Sequence, residues 1–281
     1  MAITNFVPDI WSARLLTSLK GALVYGGPGV VNRDYQGEIT AYGDSVKITS
    51  ISRPTISTYT AHSDITFEDV DDATRSLLIN QAKSFSFEID DIEAAQARGT
   101  VMNEAAAEAA YGLRDVADAY IAAQMAADVD SGNELSAVNM TTGALANSAL
   151  IDLKVVLDEA DVPAEGRWVV IPPSIHGLLL TVDNFVSVDK SGSQSGLRNG
   201  QVGRAYGFDV LLSNQTPDSD VGTGNKIIAG HPIAGTYAEQ VAKTEAVRLE
   251  KRFADGLKGL HLYGFKVVRP TALASVDTDA A

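Results

Sequence analysis

The chain has 281 residues, of which 45% are hydrophobic and 21% charged, a balance that fits a folded globular protein and excludes a disordered one. It has no cysteine, which excludes disulfides, thiolate metal sites and a cysteine nucleophile. Its net charge of -14 argues against sequence-specific nucleic-acid binding, and no apolar run reaches the ~20 residues that cross a bilayer as a helix.

Taken in chain order, residues 10–23 lie between Pro8 and Pro28 and place Ile10, Trp11, Leu15, Leu16, Leu19 and Leu23 at helical spacing. No partner for that stripe stands nearby, so the segment reads as an arm that lies on another surface. The N-terminus lacks a basic patch leading into an apolar run and is not read as a signal peptide. Residues 34–75 read as thin strands. After the Gly43-Asp44 turn signal, Val46 and Ile48 alternate with polar residues, and Ile65 and Phe67 do the same further on. Such a polar hairpin buries little by itself and needs a partner surface.

Two strands are then expected around a turn at Gln81–Lys83, with Phe85, Phe87 and Ile89 on one face and Ser84, Ser86, Glu88 and Asp90 on the other. The acids Glu88, Asp90 and Asp91 could be taken for a site. Asp90 and Glu93 have capping-box spacing, however, so Asp90 or Asp91 is expected to cap a following helix and Glu88 to sit on a polar strand face. A long helix is expected over about 103–127, capped by Asn103, with Leu113, Val116, Ala117, Tyr120, Ile121, Gln124 and Met125 on its packed face.

From about Ser148 the pattern turns α/β. A helix runs to Pro163, "RWVVIPP" is a short buried strand, "SIHGLLLTV" is a second helix, and residues 191–203 form a Ser/Gly-rich loop. Strands are expected at Asp209 to Leu212 and in "NKIIAG", followed by two strands around a turn at Asp255-Gly256 and a frayed tail from Thr271. Between Lys243 and Arg269, seven basic residues and three acids leave a net charge of +4 inside an acidic chain. That segment is either a solvated face or a surface that meets acidic partners, other copies of the chain included.

A search for chemistry finds no catalytic constellation. "GGPGVVNR" and "GTGNK" both fail the phosphate-binding loop pattern, and "GSQSG" places Gln194 where a nucleophilic serine would stand. His62, His176, His231 and His261 are scattered without metal-ligand spacing, and "DVDSGNE" lacks the full calcium-loop pattern. No catalytic, cofactor or metal residue is therefore assigned.

The order of segments does carry a resemblance. "NFVPDIWSARLLTSLKGALVYGGPGVVNRDYQGEI" resembles the N-terminal arm of tailed-phage major capsid proteins of the Hong Kong 97-type fold. "GDSVKITSISRPTISTYT" and "SDITFEDVDDATRSLLINQAKSFSFEIDDIEAAQA" resemble the two limbs of that family's extended loop together with peripheral strands, and "NEAAAEAAYGLRDVADAYIAAQMA" resembles its spine helix. "RWVVIPPSIHGLLL" and "GQVGRAYGFDVLLSNQTP" resemble its axial domain, and residues 238–273 its closing peripheral strands.

The resemblance implies an α+β fold with an arm over residues 1–33, an extended β-hairpin loop over 34–74, a peripheral domain over 75–135, an axial domain over 136–235, and peripheral return strands with a tail over 236–281. It implies a non-catalytic shell subunit that assembles with itself through pentamers and hexamers around packaged double-stranded DNA. The implied setting is the virion, with assembly in the host bacterial cytoplasm. The implied partners are a separate scaffolding protein, a portal protein and a decoration protein, with no membrane and no cofactor. Trp11, Arg14, Tyr35, Lys47, Arg53, Tyr59, Arg248, Lys251 and Arg252 are the expected assembly-interface residues. The alternatives are an encapsulin-like compartment shell, which shares the fold, and an α/β enzyme centred on residues 148–235.

Overall fold

The computed structural model describes residues 23–35, 43, 45–51, 56, 58, 72–90, 101–182, 203–249 and 253–279. The first strands, β1 (Ser45–Ile51) and β2 (Asp72–Leu78), pair antiparallel from Ser45↔Leu78 to Ile51↔Asp72 and make a two-stranded ribbon. The strand β3 (Gln81–Asp90) follows at once. The chain turns at Ile79 and Asn80, just before the turn expected at Gln81–Lys83. Phe85 and Phe87 are half-buried, and Ser84, Ser86 and Glu88 are exposed, as the alternation requires. Asp90, one of the two expected caps of the next helix, ends β3 paired with Ala254, and Asp91 and Glu93 lie outside the described residues.

The helix α1 (Val101–Ala127) has 27 residues and is about 40 Å long. It begins two residues ahead of Asn103, which is therefore inside the helix and not its cap. Ala106, Ala110, Leu113, Ala117, Ile121 and Met125 recur every three or four residues and are buried together. Val116, expected on that face, is exposed. After β4 (Glu134–Asn139), which the sequence reading did not anticipate, comes α2 (Gly143–Glu159). Thr142 caps α2 by accepting from Leu145 N–H, so the helix starts five residues earlier than the apolar pattern alone suggested. Its buried face is Ala146, Ala149, Leu150, Leu153 and Leu157.

The strand β5 (Trp168–Ile171) is buried at every residue, and the prolines behind it open α3 (Pro173–Leu179) with Pro at its first turn. Helices α2 and α3 approach closely at Gly143, where a Cβ would lie 2.4 Å from the Leu178 carbonyl oxygen. Then follow β6 (Arg204–Ala205), β7 (Phe208–Leu212), β8 (Lys226–Gly230), β9 (Gly235–Arg248), β10 (Ala254–Val267) and β11 (Leu273–Asp279).

Two larger sheets organise these strands. One has the order β3-β10-β9 and is antiparallel throughout. The other is a six-stranded mixed sheet, β4-β11-β8-β5-β7-β6, with β4 parallel to β11 and β5 parallel to β7. One apolar cluster joins α1, α2, both sheets and residues 23–31, with Trp168, Tyr25, Tyr237, Tyr263 and Phe208 among its largest buried side chains. A smaller cluster of Ile48, Leu77, Ile79, Ala238 and Leu262 seats the root of the β1–β2 ribbon on β9 and β10. Arg75 adds a hydrogen bond from Nη1 to the Val267 carbonyl at 3.1 Å.

Two expectations are corrected here. Asp255 and Gly256 do not turn the chain. They lie inside β10, paired on one side with Arg248 and Val247 and on the other with Ile89 and Glu88. The reversal falls after Leu249, whose N–H donates to the Ala254 carbonyl. The tail is not frayed either. Residues Leu273–Asp279 form β11, which pairs with β8 antiparallel and with β4 parallel in the interior of the six-stranded sheet.

Ending the chain after Ala272 should therefore remove a central strand and leave β4 without a partner. The expected outcome is loss of soluble protein with a cooperative thermal transition. A truncated chain that melts like the full one contradicts this placement of β11.

Candidate assembly interface

Residues 23–35 run as a strap across α1 and along the start of β9. A tight turn shapes it, with Gly27 N–H donating to the Val24 carbonyl and the N–H groups of Val30 and Val31 both donating to the Gly27 carbonyl. Asn32 then pairs beside β9: its N–H donates to the Gly235 carbonyl, and Tyr237 N–H donates to its own carbonyl.

Two buried carboxylates hold the strap. Asp118 of α1, 2% exposed, accepts from Val24 N–H at 2.8 Å and from Gly26 N–H at 3.1 Å. Burial pushes its carboxyl up to about 6, against the opposing pull of those two amides and of Arg114. Arg114 itself is engaged elsewhere: it donates to Asp115 and stacks 4.0 Å from the Tyr111 ring centroid.

Glu239 of β9 is the second carboxylate. It accepts from Arg33 Nη1 at 3.0 Å and from the Tyr237 hydroxyl at 2.9 Å, with His261 Nε2 at 3.3 Å. Burial raises its proton affinity, but the bond to His261 and the charge of Arg33 outweigh that and hold it below the ordinary value of 4.5. Arg33 also donates from Nε to the Gly26 carbonyl at 2.8 Å, so one side chain ties the strap to itself and to β9. Neither carboxylate was singled out from the sequence. The available signal was an acid within the apolar face of a helix, Asp118 between Ala117 and Ile121, and an acid in an otherwise apolar strand start.

The sequence-derived interface residues are spread over the molecule. Tyr35 packs, half-buried, against the cluster at the ribbon root. Lys47 is exposed on β1 opposite Ser76. Arg248 stands at the far end of β9, about 40 Å from its start, and donates to Asp255 at 3.0 Å. The structure thus brings Tyr35 and Lys47 to the ribbon and leaves Arg248 at a separate place. Trp11, Arg14, Arg53, Tyr59, Lys251 and Arg252 lie outside the described residues.

The far end of the three-stranded sheet and the ribbon both present apolar side chains to solvent. Phe253 is 80% exposed and Ile56 84%, while Val247, Leu260 and Leu78 are partly open. Phe87, Val247, Leu249 and Leu257 line a shallow groove there. Among the described residues, no group of three or more His, Asp or Glu could hold a metal ion, and no helix is long and apolar enough to cross a membrane.

An extended ribbon on a small seat, a long spine-like helix and a strapped N-terminal segment form the arrangement that the segment order resembled. Residues 74–276 match the family model described as phage capsid protein. The chain belongs to the phage capsid protein family.

Among solved structures, a chain from Mycobacterium phage Che8 is 30% identical, with 98% of each chain covered and a TM-score of 0.72. A chain from the capsid of cyanophage P-SCSP1u, 15% identical over 86% of this chain and 85% of that one, has a TM-score of 0.71. A chain of a virus-like particle from Pyrococcus furiosus shares the fold at 15% identity and a TM-score of 0.60, covering 96% of this chain and 99% of that one. No curated protein matches.

The protein is a tailed-phage major capsid protein with the Hong Kong 97-type α+β fold, and it forms the shell of the virion. The family match and the Che8 likeness favour this over an encapsulin-like shell.

Replacing Glu239 with alanine strands the charge of Arg33, whose side chain is 13% exposed. The expected loss is about 3–5 kcal/mol in chemical denaturation at neutral pH. Because Glu239 is held below 4.5, its contribution is complete above that value and fades as pH falls through the lowered one, so the gap between wild type and variant should shrink in acid. A gap that is absent at neutral pH contradicts the assignment.

Proposed function

We propose that the chain assembles through pentamers and hexamers into an icosahedral shell around double-stranded DNA, in the host bacterial cytoplasm. Its role is structural and not catalytic. A separate scaffolding protein guides assembly, a portal protein joins the shell, and a decoration protein binds it. DNA is met only through non-specific proximity, which suits a chain with a net charge of -14. In this reading residues 1–33 tie capsomers together and residues 34–74 lie over a neighbouring subunit. Residues 136–235 meet at the capsomer centre, and residues 75–135 and 236–281 form the periphery.

The observation that carries the reading is how little the ribbon buries. Among the described residues, Ile48 and Leu77, with Ile79 just beyond and Val46 half-buried, seat it on Ala238 and Leu262, while Leu78 and, in the loop past β1, Ile56 are exposed. A two-stranded ribbon with so small a seat is marginal in water and gains stability from a second surface. In a symmetric assembly that surface belongs to another copy. Exposed Lys47 on the ribbon and exposed Arg248 at the far sheet end fit contacts between subunits, and we assign Trp11, Arg14, Tyr35, Arg53, Tyr59, Lys251 and Arg252 the same role.

Deleting residues 55–62 at the loop tip tests this. The expected product is a soluble, folded chain that forms no stable shell by sedimentation and electron microscopy. Loss of soluble protein instead makes the loop part of the subunit's own core. Reversing the charge of Arg248, Lys251 and Arg252 together should likewise leave thermal unfolding intact and cut the yield of particles. Normal particles from the triple variant contradict the assignment of that basic segment.

A further inference from the structure

The strap over α1 carries a consequence beyond shell-building. Asp118 is 2% exposed and receives only two backbone amides, Val24 N–H and Gly26 N–H. Among the described residues no lysine or arginine bonds it. A buried, ionised carboxylate without a cation is held at an electrostatic cost that a proton removes. Strap side chains pack on the same helix: Leu23, Tyr25, Val30 and Val31 are buried in the cluster that holds Leu113, Ala117 and Ile121 of α1.

We infer that Asp118 is a positioning residue that makes a proton-sensitive latch: taking up a proton favours the strap seated on α1, and losing it makes the strap easier to lift. The latch sits where residues 1–22 join the body, so it governs how firmly the root of the N-terminal segment is fixed. The inference does not rest on the shell reading, because the contact lies within one chain.

The groups around the latch set its sign. On α1, Arg114 favours the charged form and Asp115 opposes it. On the strap, Tyr25 lies against Asp118 with its hydroxyl buried and unpartnered. Further along the strap is Arg33, and behind it stand Tyr237 and Glu239 of β9 and His261 and Tyr263 of β10, with Arg33 and Glu239 satisfying each other. Apart from that pull of Arg114, no cation among the described residues of these elements neutralises Asp118.

Seated, the carboxyl takes up its proton near pH 6; lifted into water, it returns toward 3.8. The seated form therefore binds the proton more tightly, and by linkage acid favours seating. The gain is absent at pH 8, grows as pH falls through 6, and is complete below about 3.8. Between pH 8 and pH 5 these two affinities imply that the seated-to-lifted ratio rises about tenfold.

Amide hydrogen exchange over residues 23–31, followed by mass spectrometry on the expressed chain from pH 5 to pH 8 and corrected for intrinsic exchange, reads this directly. Wild-type protection should rise about tenfold on acidification, while a peptide from β8 should not change in parallel. Asp118→Asn should abolish the rise. Asp115→Asn, at a half-exposed position, should move its midpoint to lower pH by removing the like charge. Protection that is flat from pH 8 to pH 5, or an acid-dependent rise that survives in Asp118→Asn, overturns the proposal.

Discussion

Apolar packing of α1 against the near half of β10 supports every outward-reaching part of the molecule. Ala117, Ile121 and Met125 on the helix and Tyr263, Phe265 and Val267 on the strand are buried in one cluster, and the Tyr120 and Tyr263 rings meet edge to face with centroids 5.6 Å apart. The strap lies on this seam through Asp118 and Glu239, and the ribbon roots on the same strand through Leu262. The far half of β10, beyond the irregularity at Leu260 and His261, runs outward with β3 and β9 as a sheet open on both edges among the described residues. A rigid seam with thin projections suits a shell subunit. The body holds the core, while the ribbon has only a small seat on it among the described residues.

The placement of buried charge follows the same division. Around the strap, carboxylates are satisfied by backbone amides, by Arg33, or by Tyr237 and His261, so polar bonds fix one geometry that apolar contact alone would leave loose. In the six-stranded sheet Lys226, nearly inaccessible, does similar work. Its ammonium donates to Asp220 at 2.6 Å and to Glu134 at 3.4 Å, which ties the loop before β8 to β4. At the far sheet end the pairs are exposed, Arg248 with Asp255 and Lys258 with Glu245, and contribute little to the fold. Those charges remain accessible to a neighbouring subunit.

Much of the fold was legible where a local period decides it. The apolar recurrence from Leu113 to Met125 marked α1, the all-apolar "WVVI" between Arg167 and Pro172 marked β5, and the Phe85/Phe87 alternation marked β3. Helix starts were misplaced locally, at Asn103 and at the Thr142 cap, while the larger misses share one cause, which is pairing with residues far away in sequence. "LASVDTD" is small and polar and looks like a tail, yet Ser275 and Thr278 are buried because β4 and β8 flank it. Asp255-Gly256 has turn chemistry, but strands on both sides hold it extended. Asp118 and Glu239 were missed for the same reason: their strap partners, at residues 24, 26 and 33, are ninety or more positions away. The interface residues were chosen from charge and position in a resemblance. Of these only Tyr35, Lys47 and Arg248 fall among the described residues.

Electron microscopy of the chain, expressed alone and together with its neighbouring genes, tests the central claim most directly. Polyhedral shells, or tubes and spirals built from this protein, are the expected result, and dependence on a neighbouring gene would identify a separate scaffold. A monodisperse monomer or dimer under every condition, with no particles, would contradict the account.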